Sequence, residues 1–310
     1  RWNYTIIAGD NLSNVDSFSS TFSIRTASGL LCDEGDEETL CVINTIHGIT
    51  NGSHLQYNNI TFQSGGVFRN QLNTTFFSLN ASNIIIESGG KIEGNVNITA
   101  ANLSVLYGGL INSTGLGYAG GDFLTNGVGP GAGTVGSESN SGGGGGGYGG
   151  VGQDGEDEGD VLWAAGYGGY RYGSPVRPRD LGSGGSGGNN GGSGGNGGGF
   201  IIMNITDQLI INGTLQAAGA DGNISKKGGG GGGSGGSIYI IASNFIGNGT
   251  INSTGGAGGD NSDSGGGGGG AGGGGRVAIH YNSTYFNGTV RVSPGVIGTT
   301  ADSTTLRGET

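Results

Sequence analysis

Proline is nearly missing from this chain, with four residues in 310, although 79 of the others are glycine. A glycine-rich chain with so little proline and no strict Gly-X-Y period cannot wind into a collagen triple helix. Charged residues make up only 11%, methionine occurs once, and no apolar run approaches the roughly 20 residues of a membrane-spanning helix. Apolar residues amount to 32% and gather in short β-branched runs. That pattern predicts a narrow core with glycine-rich excursions outside it. The formal charge of −11 disfavours nucleic acid or an anionic membrane as a partner. The chain opens on Arg1 without a secretory leader, so the expectation is a chain that starts after processing or a piece of a longer one.

What is abundant is the acceptor triplet for N-linked glycans. Asn-x-Ser/Thr begins at Asn3, Asn11, Asn51, Asn59, Asn73, Asn80, Asn97, Asn102, Asn112, Asn204, Asn212, Asn223, Asn248, Asn252, Asn282 and Asn287, 16 sites where chance pairing would give about five. Such an excess implies a secreted, glycosylated, extracellular or cell-surface chain. The only cysteines, Cys32 and Cys41, flank the acidic loop DEGDEETL, and in a secreted chain they are expected to form a local disulfide.

A repeat supplies the fold. The phrase ITFQSGGVF at 60–68 returns as IIIESGGKI at 84–92 and LSVLYGGLI at 103–111. A shortened form follows in LIINGTL at 209–215, FIGNGTI at 245–251 and FNGTV at 286–290. Upstream of several units stands the phrase Ala-x-Asn, ending at Asn83, Asn102 and Asn244. Short strands punctuated by Gly or Asn at fixed offsets describe an all-β parallel β-helix, or solenoid, in which equivalent residues stack about 4.8 Å apart. The stacked asparagines are then placed to form a hydrogen-bonded ladder. A β-sandwich of short strands is the alternative, though it does not explain the recurrence of whole phrases. The expected division is an N-terminal arm or cap with the disulfide loop at 1–55, the β-helix at 56–298 and a tail at 299–310. Residues 1–31 alternate weakly (Tyr4, Ile6, Phe18, Phe22, Ile24), as a cap or as an arm adding a strand to a neighbour.

Glycine-rich stretches at 115–199, 219–236 and 255–275 leave the repeat after matching phrases ending in Asp122, Asp221 and Asp260. They re-enter at Gly199, Gly236 and Gly275, and so read as insertions from one corner of successive turns. Side chains spaced three apart (Ser183, Ser186, Asn189) fit a threefold polyglycine-II helix presenting them on one edge, with bare edges free to bond to each other.

Catalytic material is thin, because His47, His54 and His280 stand away from any candidate nucleophile. Two acidic clusters, one at 33–38 and one at 154–160, read as solvated loop tips, with Ca²⁺ binding through their carboxylates as the alternative. Asp122, Asp221 and Asp260 are weak calcium candidates, since GGAGGD at 255–260 begins like a calcium-binding repeat but is not tandem. They equally fit a role in capping the same turn. No other cofactor is expected. Trp163, Tyr167, Tyr170, Arg171 and Tyr172 form an aromatic and basic patch in the longest insertion. It reads as a seal against the core or as an interface with a protomer or a sugar.

From Gly228 onward, GGGGGGSGGSIYIIAS and GGGGGGAGGGGRVAIHY alternate with GTINSTGGAGG. In this the chain resembles the glycine-rich, repeat-built extracellular surface and filament proteins of protists and some bacteria, with mastigoneme-type fibres as one setting. The likeness spans residues 60–298 in composition and phrasing, and brings no catalytic residue with it. It implies a structural protomer of a glycosylated filament or coat that assembles with copies of itself. An adhesin or carbohydrate-binding surface protein, and a β-helix enzyme acting on polysaccharides, are the alternatives.

Overall fold

The computed structural model describes residues 6–9, 15–18, 31–72, 74–157, 165–263 and 265–300. Among these there is no helix, so none that is long and apolar enough to cross a membrane. The chain divides into a first unit, residues 1–31, and a second, residues 32–310. In the first, β1 (Ile6–Gly9) and β2 (Val15–Phe18) pair antiparallel. Tyr4, Phe22 and Ile24 lie outside the described residues.

The second unit begins with β3 (Glu34–Gly35), a two-residue strand paired antiparallel to β4 (Cys41–Ile43). Then long and short strands alternate: β5 (Ile46–Gly48), β6 (His54–Phe62), β7 (Val67–Arg69), β8 (Phe76–Ile86), β9 (Lys91–Glu93), β10 (Asn95–Val105) and β11 (Leu110–Asn112). They continue as β12 (Phe200–Ile211), β13 (Thr214–Gln216), β14 (Ser237–Gly247), β15 (Thr250–Asn252), β16 (Arg276–Phe286) and β17 (Thr289–Arg291). Even-numbered strands from β4 to β16 form one parallel sheet, with β3 at its edge. Odd-numbered strands from β5 to β17 form the other, each inner strand pairing with the strands two before and two after it. A sandwich of antiparallel hairpins would not give this order.

Pairing is in register, so like side chains fall in columns. Phe68, Ile92, Ile111, Leu215 and Ile251 stack on one another along the short strands, each fully buried. Phe62, Ile86, Val105 and Ile211 do the same along the long ones. The long strands bend at the Ala-x-Asn phrase, where Ser82 and Ala101 take no partner in the ladder. There the asparagines join: Asn83 Nδ2 donates to Asn59 Oδ1 (2.7 Å), and Asn102 Nδ2 donates to Asn83 Oδ1 (3.0 Å). Gln208 interrupts the ladder in the next turn, and Ser283 Oγ donating to Asn244 Oδ1 (2.6 Å) resumes it.

Stacked pairing starts earlier than residue 56, since β4 already pairs with β6 and β5 with β7. This first turn hides from a search for Gly-Gly because Asn44-Thr45 occupies its corner. In the next turn that choice is closed: a Cβ on Gly66 would meet the Ile43 carbonyl oxygen at 1.9 Å.

The insertions all leave after a short strand and return at the next long strand. Their backbones bond to one another in a threefold rotation. Along 229–236, the N–H groups of Gly229, Gly232 and Gly235 donate to Gly267, Gly270 and Gly273, and those of Gly230, Gly233 and Gly236 donate to Asn223, Ala220 and Ala217. Gly231 and Ser234 donate to Ser186 and Ser183. Carbonyls of the same segment accept from 195–198, from 143–146 and from 256–259. One strand therefore bonds to six neighbours, drawn from all three insertions. Strand 142–148 repeats the pattern, with N–H groups directed in rotation to 150–156, 229–232 and 131–134. No residue in 228–236 or 266–275 has a positive φ.

Such close approach excludes side chains. A methyl on Gly231 would lie 2.0 Å from the Gly144 carbonyl oxygen, whereas one on Gly48 meets nothing within 4 Å. Gly231→Ala is expected to cost about 1–3 kcal/mol, the range for overpacking a tight interior. Gly48→Ala should be close to neutral. Thermal unfolding of the two variants beside the parent chain checks the contrast.

Candidate assembly surface

The glycine-rich segments are tied to the sheets by a few polar and aromatic side chains. Asn95 is fully buried: its Nδ2 donates to the carbonyls of Thr75 and Leu116 (both 2.9 Å), and its Oδ1 accepts from Phe200 N–H (2.8 Å). It thus joins the start of the first insertion to its end. Tyr148, alone in a run of glycines, is also fully buried; its hydroxyl bonds to Ser237 Oγ at 2.7 Å, and the Arg276 guanidinium lies over its ring at 5.4 Å. Burial pushes its phenol up to about 12. The three-residue spacing in the sequence is realised as one edge: Ser183 Oγ accepts from Gly131 N–H, Ser186 Oγ donates to the Thr134 carbonyl, and Asn189 Nδ2 donates to the Gly136 carbonyl.

The aromatic patch divides between its two readings. Tyr172 packs on Tyr148 at 4.9 Å, donates to the Leu181 carbonyl and accepts from Ser183 Oγ, so it seals the insertion; burial raises its phenol. Tyr167, Tyr170 and Arg171 are exposed, Tyr170 at 81%. Trp163 lies outside the described residues. Two of the calcium candidates bond across to the segment that follows rather than within their own turn: Asp221 Oδ1 accepts from Ala257 N–H (2.7 Å), and Asp260 Oδ1 accepts from both Thr299 N–H (2.7 Å) and Thr299 Oγ1. Asp122 is exposed, and among the described residues no group of three or more potential ligand side chains is placed to hold a metal.

The sequon asparagines follow one rule. Asn51, Asn80, Asn204, Asn212, Asn223, Asn248, Asn282 and Asn287 are exposed; Asn59, Asn97, Asn102, Asn112 and Asn252 are half-buried. Asn3, Asn11 and Asn73 lie outside the described residues. Among the described residues the buried asparagines, Asn70, Asn95 and Asn261, all stand outside sequons.

The two ends of the paired sheets differ. At the N-terminal end the Cys32–Cys41 disulfide closes the β3–β4 hairpin, leaving Cys41 and Ile43 fully buried. Asp36 Oδ1 accepts from the N–H groups of Glu38 and Thr39, and the Glu37 carbonyl accepts from Asn58 N–H. Asp33 anchors the corner. Desolvation pushes its carboxyl up, but hydrogen bonds from Asn44 N–H, Thr45 N–H, Thr45 Oγ1 and the His47 ring outweigh this and hold it down at about 2. At the other end no described strand lies beyond β16 or β17. There the core column finishes on Val290, 46% exposed where Ile251 beneath it is fully buried, and Tyr281, Tyr285 and Val292 are exposed beside it.

No family model, curated protein or solved structure matches this chain. Function has to be argued from the geometry. Sequence reasoning missed Asn95 and Tyr148. A single aromatic within a glycine run was the available signal for Tyr148; for Asn95 there was none, because its partners come from segments 20 to 105 residues away.

The Asp33 carboxyl is lower in the folded chain than its ordinary 3.8, so its contribution is complete above about 4 and is lost as pH falls through about 2. Hydrogen exchange in residues 33–45 should rise across that window. In Asp33→Asn the same segment should already exchange faster at neutral pH, with a flatter response to acid.

Proposed function

We propose that this chain is a structural protomer of an N-glycosylated extracellular filament or surface coat and assembles with copies of itself. In this reading the seven stacked turns are a parallel β-helix, and the insertions are polyglycine-II helices packed side by side. What supports the second description is the threefold rotation of N–H donors along 229–236 and 142–148, each segment bonding to several neighbours. The observation that carries the function is the in-register stacking of like strands up to the last described pair, where β16 presents an eleven-residue edge and Val290 on β17 is 46% exposed; a strand edge of this kind is a template for further pairing.

Glycosylation is supported by the segregation of sequons from buried asparagines. The eight exposed sequon residues accept a glycan without disturbing the packing. Asn59 and Asn102 differ, because their Nδ2 atoms already donate within the ladder, Asn59 to the Thr39 carbonyl at 2.6 Å and Asn102 to Asn83. A carbohydrate-binding or adhesive role is the second reading, favoured by the exposed Tyr167, Tyr170 and Arg171.

Electron microscopy of the native material tests the main reading. Long regular fibres or sheets are expected, and monodisperse single chains would overturn it. Glycopeptide mass spectrometry of the same sample should find glycans at the exposed positions, such as Asn80, Asn204 and Asn248, and little or none at Asn59 and Asn102.

A further inference from the structure

Seven asparagines are followed directly by glycine, at positions 51, 126, 190, 196, 212, 248 and 287. An Asn-Gly pair is open to attack of the backbone on the side chain, because glycine has no Cβ to shield its nitrogen and bends freely. In six of the seven that nitrogen is engaged. Gly52, Gly127, Gly197, Gly213 and Gly249 donate to the carbonyls of Phe76, Gly133, Tyr118, Val105 and Ile211 at 2.8–3.0 Å, and Gly191 donates to Gly188 at 3.3 Å. Five of the side chains are held as well. Asn51, Asn126, Asn196 and Asn212 each accept a backbone N–H on Oδ1, and Asn190 Nδ2 donates to Ser139 Oγ. Asn287 differs: it is exposed, and among the described residues neither its side chain nor the Gly288 N–H has a hydrogen-bond partner.

The cause lies one residue earlier. In the preceding turn β14 ends on Gly247 at φ +128°, and Gly249 N–H reaches back to Ile211. The residue in register with Gly247 is Phe286, whose ring stacks on Phe245 at 4.5 Å. Phenylalanine is strained at such a φ, so β16 runs straight on. Asn287 N–H then takes the Gly247 carbonyl, and Gly288 N–H is left over. Corner glycines bond to the turn before them, as Gly213 and Gly249 do, so whatever follows β17 has no part in this. Nor does exposure depend on it, since Asn212 and Asn248 are exposed with a turn on either side.

We infer that Asn287–Gly288 is a site of spontaneous deamidation in the folded chain when Asn287 carries no glycan. The Gly288 nitrogen gives up its proton and bonds to Asn287 Cγ, while Nδ2 takes up a proton and leaves as ammonia. Water then opens the cyclic imide at one carbonyl to give aspartate, or at the other to give an isoaspartyl link. In sum, one amide and one water become one carboxylic acid and one ammonia. The isoaspartyl product adds a backbone atom at residue 287, two residues before Thr289, whose N–H bonds to Gly249, so the pairing of β17 with β15 loosens. Position 287 is also a sequon, and a glycan on its Nδ2 would shield the same carbon, a point that rests on the glycosylation reading above.

The test is Thr289→Ala in the full chain, made in a host that attaches N-glycans. This removes the sequon at 287, keeps the others and leaves Asn287-Gly288 intact. Folded protein is held at neutral pH for weeks and mapped by mass spectrometry that separates asparaginyl, aspartyl and isoaspartyl peptides. Asn126, Asn190 and Asn196 stand outside sequons and serve as internal references. Asn287 should convert at least about tenfold faster than each of them, the ratio that about 1.4 kcal/mol of local opening imposes. In denaturant the four rates should draw together, because only the folded hydrogen bonds distinguish the sites. Equal or slower conversion at Asn287 in the folded chain overturns the inference, as does a lead over the references that persists undiminished in denaturant. If the parent carries no glycan anywhere and converts at Asn287 as the variant does, the glycosylation reading falls and this site stands.

Discussion

A peptide N–H or C=O removed from water must be bonded to something, and a chain that is one quarter glycine buries many such groups with few side chains to help. Two arrangements meet that demand here. In the sheets each inner strand from β6 to β15 bonds to two parallel neighbours, and the apolar columns between them supply the burial energy. In the insertions a strand turns through three directions and bonds to six neighbours, with backbone and a few small side chains such as Ser183, Ser186 and Ser234 filling most of the interior. Where the two meet, neither pattern is complete, and polar side chains finish it. Asn95 and Ser253 are both fully buried, and both bond to backbone carbonyls where an insertion joins a strand.

Much of this could be read from the chain. The recurring phrases located β6 through β17, and the Ala-x-Asn phrase foretold the ladder at Asn83 and Asn102, though not its first member, Asn59, which follows Tyr57-Asn58. The serines three apart at 183 and 186 marked an edge of the lattice. These are local periodicities, and a local periodicity survives in one dimension. The first turn did not show itself, because its corner uses Asn44-Thr45 in place of two glycines. Nor did the neighbours of each glycine strand, since a run of glycines carries no mark of which carbonyl lies 2.8 Å away. The anchors were equally hidden: Tyr148 meets Ser237 across 89 residues.

The ends of the paired sheets are a consequence of the same regularity. A turn built to be covered by a copy of itself has no natural stopping point, so termination requires something different from the repeat. At one end that is a short hairpin, a disulfide and a carboxylate, Asp33, holding two backbone N–H groups. At the other, the described residues contain nothing of the kind, and segment 293–299 instead joins the glycine lattice through Gly295 and Gly298.

The interleaving of the insertions also governs how this chain reaches its native state. Segment 142–148 bonds to 229–232 and is bonded by 270–273, strands contributed by later turns. During synthesis the longest insertion therefore emerges well before the partners that will hold it, and its many peptide groups wait in water. Contacts of such sequence separation make the folding barrier high, because loop-closure entropy is spent before the bonds return it. The barrier in the opposite direction is high as well: no single arm can leave until several others loosen. Persistence over long times would then be a matter of rate as much as of equilibrium stability.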